Sequence, residues 1–191
     1  MTQNFDGKTA VVTGATKGIG KSIADLLLER GANVIGTGRN VDHDNSTPGV
    51  LWVSTDFLAP PDSERSLQNF LSMLVDFQPD IVVNNAGINV LSGASDLQIS
   101  DFHDVVSVNL VAPLTICKTV TPIMKRKGWG RILNISSIWS KIGKARRISY
   151  MASKFALDGV TLSLAAELSS DGVLCNCLAP GFVRTEMTER N

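Results

Sequence analysis

The run Lys8-Thr9-Ala10-Val11-Val12-Thr13 ends in three glycines spaced Gly14-x-x-x-Gly18-x-Gly20, and a helical pattern follows without a break. This junction constrains the fold more than any other stretch. The short apolar run reads as a buried strand. Ile23, Ala24, Leu26, Leu27 and Leu28 then recur at helical spacing until Gly31 stops them. Asn33-Val34-Ile35-Gly36-Thr37 reads as a second strand. Two strands joined through one helix lie parallel, because the helix returns the chain to the end of the sheet where it began. Glycines at such a turn let backbone N–H groups approach a pyrophosphate at the positive end of the helix. The spacing differs from the commoner Gly-x-Gly-x-x-Gly, and a glycine cluster alone serves equally well as a structural turn.

The alternation continues along the chain. Residues 41–49 are polar and hold Pro48-Gly49, hence a loop, and Val50 to Ser54 form a third strand. Pro60-Pro61-Asp62-Ser63 is expected to open a helix that carries Leu67, Phe70, Leu71, Leu74 and Val75. Residues 80–84 form a fourth strand, 100–109 and 113–127 two helices, 130–136 a fifth strand, 149–169 a long helix, and 173–178 a sixth strand. Strands alternating with helices predict a parallel sheet covered on both faces. No repeat or linker divides the chain, so residues 1–191 are expected to be one doubly wound α/β domain of the Rossmann type.

Composition excludes several classes. Lys+Arg equals Asp+Glu at 18 each, so no global charge favours nucleic acid or an anionic membrane. No stretch approaches 18 apolar residues, and Met1-Thr2-Gln3-Asn4-Phe5-Asp6 has no signal-peptide pattern. The expectation is a cytoplasmic protein with no membrane partner. Cys175 and Cys177 alternate in an apolar strand pattern and read as two buried thiols. His43 and His103 read as surface residues, and no metal site is expected.

The chemistry concentrates in Ser149-Tyr150-Met151-Ala152-Ser153-Lys154. Tyr150 and Lys154 stand four apart, so on a helix they share a face. A free phenol has a pKa of about 10 and is a weak proton donor at neutral pH. A neighbouring ammonium is expected to lower it and make the tyrosine a usable general acid/base. Ser137, at the end of the fifth strand, is expected to polarise a carbonyl oxygen beside the tyrosine. The end of the second strand speaks to the cofactor. An NAD site places a carboxylate there for the ribose 2′-hydroxyl. Here Thr37-Gly38-Arg39-Asn40 offers a guanidinium instead, and no acid appears until Asp42. Arg39, joined by Lys17 from the glycine turn, suits a 2′-phosphate, so NADP(H) is favoured over NAD(H). Asp56, at the end of the third strand, either accepts from an adenine amino group or caps a turn.

These elements together resemble the short-chain dehydrogenase/reductase (SDR) family. The matching motifs are Thr13-Gly14-Ala15-Thr16-Lys17-Gly18-Ile19-Gly20, Asp56, Asn84-Asn85-Ala86-Gly87, Asn109, Ser137, Tyr150 with Lys154, and Pro180-Gly181. The resemblance implies a sheet of order 3-2-1-4-5-6, with the family's seventh strand absent from this chain. It implies hydride transfer between NADP(H) and a small carbonyl or alcohol substrate. The catalytic tetrad would be Asn109, Ser137, Tyr150 and Lys154, the Asn109 main-chain oxygen holding a water that links Lys154 to solvent. Cofactor contacts would come from Gly14, Thr16, Lys17, Gly18, Ile19, Gly20, Arg39, Asp56, Phe57, Asn85, Ala86, Gly87, Tyr150, Lys154, Pro180, Gly181, Val183 and Thr185. Asn84 would help join the central strands.

Further expectations follow. The chain stops at Asn191, ten residues after Gly181, where family members usually continue into a lid, so it is expected to be C-terminally incomplete. The basic segment Lys141-Ile142-Gly143-Lys144-Ala145-Arg146-Arg147 borders the substrate in the family and is a candidate site for an anionic group; the other reading is a solvated loop. Similarity extends to 3-oxoacyl-acyl-carrier-protein reductases and to sugar-acid and polyol dehydrogenases. The carrier-protein enzymes often place a basic residue where Ala166 precedes Glu167, which weakens that reading. A non-catalytic dinucleotide-binding regulator of the same fold is the alternative; a missing tetrad residue would favour it, and all four are present. Finally, the helix at 149–169 is apolar nearly all round, which calls for burial on more than one side. With the helix at 113–127 it is expected to build a homodimer, alone or within a homotetramer.

Overall fold

The computed structural model describes residues 4–41 and 47–185. Most of the expected polar loop with His43, the first three residues and the tail from 186 onward lie outside the described residues. The strands are β1 (Thr9–Val12), β2 (Asn33–Gly38), β3 (Val50–Ser54), β4 (Ile81–Asn84), β5 (Gly130–Ile135) and β6 (Val173–Leu178). They form one sheet in the order β3-β2-β1-β4-β5-β6, and every neighbouring pair is parallel. The strands carry near-continuous apolar runs because both faces are covered. Val11, Ile35, Val82 and Ile132 face one layer, with Phe70, Leu74, Ile116 and Met124 packed on them. Ala10, Val12, Val34 and Val83 face the other, against Ala24 and Leu27. Successive residues alternate between the two cores.

Helix α1 (Gly18–Glu29) follows the glycine turn. Helix α2 (Leu67–Phe77) starts later than the sequence suggests. Its cap is Ser66, whose Oγ accepts from the Asn69 N–H at 3.2 Å, so the prolines belong to a preceding turn rather than to the helix.

The two helices expected at 100–109 and 113–127 are one continuous run. Helix α3 (Ile99–Val106) passes through a π-helical turn, Ser107–Val111, into α4 (Ala112–Lys127). The Ala112 N–H reaches back to the Ser107 oxygen, five residues away, where an α-helix would reach four. Pro113, just beyond, has no N–H to give. The whole run Ile99–Lys127 has the length and hydropathy to cross a membrane, a property hidden by the Ser, Asn and Thr interspersed in it. In this fold it is a core helix, with Ile116, Cys117, Val120 and Met124 fully buried.

Helix α5 (Ile148–Leu168) lies beside β6. Of the two thiols expected to be buried, Cys175 is and Cys177 is exposed, because β6 is the sheet edge and its far end projects beyond its cover. Asn84 joins the central strands as expected, donating to Asn134 Oδ1 at 2.8 Å across β4 and β5. Asn134 in turn donates to Thr161 Oγ1 at 2.8 Å, tying the sheet to α5.

Parallel strands bring their carboxyl ends to one edge. The order reverses direction between β1 and β4, and a crevice outside that point is where ligands enter such sheets.

Candidate active site

A cavity of about 330 Å³ opens at this edge, walled by the loops after all six strands. At its centre is the glycine turn. Gly14 has φ +63°, and a Cβ there would meet the Ala86 Cα at 2.9 Å. A Cβ on Gly20 would meet the Gly14 oxygen at 2.4 Å and Asn85 Nδ2 at 2.3 Å. Side chains are therefore excluded where α1 packs on the turn. The turn is pinned to the end of β4. Thr13 Oγ1 accepts from the N–H groups of Asn85 and Ala86, both at 3.0 Å. Asn85 Nδ2 donates to the oxygens of Thr13 and Gly14, also at 3.0 Å. The result is a backbone cradle at the N-terminus of α1, open to the cavity and suited to a pyrophosphate. Gly14, Thr16, Lys17, Gly18 and Ile19 line it, while Gly20 lies beneath it as packing.

One end of the cavity carries Arg39, Lys17, Asp56 and Phe57. Asp56 Oδ1 accepts from the Leu58 N–H at 3.0 Å, so the turn-capping reading of that carboxylate holds, and the residue still faces the cavity. Arg65, which sequence reasoning did not single out, reaches the Arg39 main-chain oxygen at 3.4 Å. No local pattern marks it, since the loop after β3 folds back only in three dimensions.

The other end carries Ser137, Tyr150 and Lys154, with Gly87 beside Lys154; Asn85, Ala86, Pro180, Gly181, Val183 and Thr185 also line the cavity, Thr185 lying against Gly18 of the glycine turn. Ser137 caps a single 3₁₀ turn, Ile138–Ser140, its Oγ accepting from the Trp139 N–H at 3.2 Å, and lines the cavity with Tyr150. Burial raises the phenol's pKa above its ordinary value; the nearby Ser137 hydroxyl and the Arg147 charge work the other way. The expected lowering by Lys154 is not found in this arrangement. Its ammonium donates to the Ile135 main-chain oxygen at 2.7 Å and lies over the tyrosine ring, 5.6 Å from its centre. Burial brings the Lys154 pKa down to about 8.

Asn109 does not line the cavity. It is fully buried in the π turn. Its amide spans the Ile88 main chain, accepting from N–H and donating to oxygen at 2.9 Å each, and also donates to Ser153 Oγ at 3.1 Å. It thereby joins the strand-end loop to α5. A Cβ on Gly87 would lie 3.2 Å from Asn109 Oδ1 and 3.8 Å from Lys154 Nζ, so Asn109 and Lys154 approach the loop at the same point.

Residues 8–191 match the short chain dehydrogenase family. The chain belongs to that family. It is 37% identical over 189 residues to 3-oxoacyl-acyl-carrier-protein reductase FabG of Vibrio cholerae serotype O1, spanning 97% of this chain and 78% of that protein. It is 33% identical over 191 residues to D-beta-hydroxybutyrate dehydrogenase of Rhizobium meliloti, spanning 96% and 74%. A crystal structure of a candidate NAD(P)-dependent gluconate 5-dehydrogenase from Beutenbergia cavernae, with NADP bound at low occupancy, superposes with a TM-score of 0.88. That chain is 35% identical, and the match covers 98% of this chain and 77% of it. As a short-chain dehydrogenase, the protein is an oxidoreductase whose family acts on small carbonyl and alcohol substrates. One residue at this end escaped the sequence reading, Trp139. It faces Phe182 edge-on at 5.7 Å between ring centres. Its signal was its position between Ser137 and Tyr150; Arg147, already read as part of the basic segment, also lines the cavity, and spacing alone does not say which residues of that loop turn inward.

Proposed function

We propose that this short-chain dehydrogenase interconverts a carbonyl and an alcohol with NADP(H), and that Tyr150 is its general acid/base. The observation that carries this reading is the placing of Ser137, Tyr150 and Lys154 on the wall of the same cavity that holds the glycine cradle. The cradle suits a dinucleotide pyrophosphate, because Gly14, Thr16, Lys17, Gly18 and Ile19 line the cavity at the N-terminus of α1. When bound, the nicotinamide supplies or accepts the hydride.

The remaining steps belong to the chain. Tyr150 gives its phenolic proton to the substrate oxygen as charge develops there, and Ser137 donates a hydrogen bond to the same oxygen. The Lys154 ammonium supports the phenolate that is left. The main-chain oxygen of Asn109, in a π turn that departs from ordinary helical bonding, holds a water through which the proton is replaced. In the oxidative direction each transfer reverses.

Arg39 and Lys17 at the far end of the cavity support NADP(H), as does the NADP in the gluconate 5-dehydrogenase neighbour. The assembly reading also stands as a proposal. The outer face of α5 is a smooth stripe of Ala152, Phe155, Ala156, Gly159, Leu162, Ser163 and Ala166, exposed in one copy and suited to a second. The test of function is direct: purified protein is mixed with NADPH or NADH and a panel of ketones, oxo acids and 3-oxoacyl thioesters, and loss of the reduced nicotinamide absorbance is followed. Turnover that is faster with NADPH and depends on Tyr150 is expected; binding of NADPH with no turnover of any member would favour a non-catalytic dinucleotide-binding protein.

A further inference from the structure

Four cations crowd residues 141–147, and the fold separates them. Lys141 pairs with the Asp158 carboxylate at 2.5 Å, on the side of α5 toward β6. Arg146 is exposed and holds the left-handed region, with φ +63°, a conformation that a non-glycine residue keeps only where its surroundings impose it. What imposes it is the Ser92 N–H, which donates to the Arg146 oxygen at 3.2 Å within a short parallel bridge between Ser92 and Arg147. This turn delivers the next residue, Arg147, to the start of α5, one helical turn ahead of Tyr150. Of the four, Arg147 alone lines the cavity. Its guanidinium carbon lies 6.0 Å from the centre of the Trp139 ring, which also meets the Lys144 ammonium at 5.7 Å and the Phe182 ring edge-on.

We propose that Arg147 selects the substrate by receiving a carboxylate, so that the protein acts on short oxo and hydroxy acids; this rests on the oxidoreductase reading above. The chemistry follows from the neighbours. A guanidinium offers a planar pair of donors that matches a carboxylate. Tyr150, three residues on, meets the reacting oxygen, so the acid group sits a few bonds from the carbonyl carbon. Trp139 and Phe182 wall the space between with apolar surface.

The test uses matched pairs: acetoacetate, 3-oxopentanoate and 2-oxobutanoate, each against its methyl ester, with NADPH and NADH both supplied. The readout is the ratio of kcat/KM for acid over ester. The wild type is expected to favour the acids by roughly 30-fold or more, the scale of one charge-assisted hydrogen bond. Arg147→Met should collapse that ratio, Arg147→Lys should restore part of it, and Lys144→Met should leave it in place. Circular dichroism melts confirm that each variant folds. Esters turned over as well as acids by the wild type, or a ratio unchanged in Arg147→Met, overturn the assignment while leaving the oxidoreductase reading standing. A ratio lost in Lys144→Met instead moves the carboxylate to that lysine and overturns it equally. Turnover of neither acids nor esters with either nucleotide overturns both readings.

Discussion

Lys154 stands one helical turn beyond Tyr150, and its ammonium donates to the Ile135 main-chain oxygen at 2.7 Å while lying 5.6 Å from the centre of the tyrosine ring. The position holds a buried charge in contact with one carbonyl oxygen, next to the residue proposed to move protons. Such an arrangement costs stability in the ligand-free protein, as expected of a residue proposed to act on a bound ligand and a phenolate.

That cost is measurable. The Lys154 pKa falls from 10.5 to about 8 on folding. Between those values the unfolded chain holds a proton that the folded chain has released, so this group makes stability rise with pH across that window. Below about 8 the fold carries the full burden of the buried charge. Lys154→Met should therefore raise the melting temperature at pH 7, by roughly 2–8 °C for a gain of ~1–2 kcal/mol, while abolishing turnover. The gain should shrink as pH approaches 10. Thermal melts of the ligand-free protein at several pH values check it; a lower melting temperature at pH 7 would mean that the bond to Ile135 outweighs desolvation.

Tyr150→Phe should leave the fold and NADPH binding intact and reduce turnover by ~100-fold or more, the usual worth of a positioned acid/base. Tyr150 is the chain's single tyrosine, so phenolate absorbance reports it without background. In the ligand-free protein it should titrate above the ordinary phenol value, because burial dominates. Saturating NADP⁺ should bring the midpoint down. A variant that keeps more than about a tenth of the rate removes the tyrosine from the mechanism.

Arg39→Asp should reverse the nucleotide preference from NADPH to NADH, since a carboxylate accepts from a ribose hydroxyl and repels a phosphate. Titration calorimetry of both nucleotides against wild type and variant reads this directly. Equal affinity of the wild type for the two would end the argument from Arg39 and Lys17.

The outer face of α5 is the expected subunit contact. Leu162 is 73% exposed and Phe155 49% in the single chain, which is unusual for side chains of their size on one stripe. Leu162→Glu lies two turns beyond Lys154 and should shift the protein toward monomer without unfolding it. Sedimentation at micromolar concentration measures the change; a monomeric wild type would assign the stripe to another role.

The order of strands and helices, the glycine cradle and the cation at the end of β2 were all legible in the sequence. Each rests on residues close together along the chain, where period, turn chemistry and missing side chains act locally. Tyr150 and Lys154 were legible for the same reason, since four residues on a helix is a local relation. Only the tertiary structure decided how they act. The Lys154 pKa depends on burial beneath β5, and Tyr150 feels Arg147 more than Lys154 because side-chain direction outranks spacing. Two expected helices join through a π turn, and its Asn109 reaches across to Ile88, 21 residues away in the chain. The exposure of Cys177 depends on β6 being an edge. Which of four neighbouring cations enters the cavity is set by a bridge from Arg147 to Ser92, on a loop that meets it only in the fold. Long-range contacts carry no local signature, because the energy that selects them is shared by residues the chain keeps far apart.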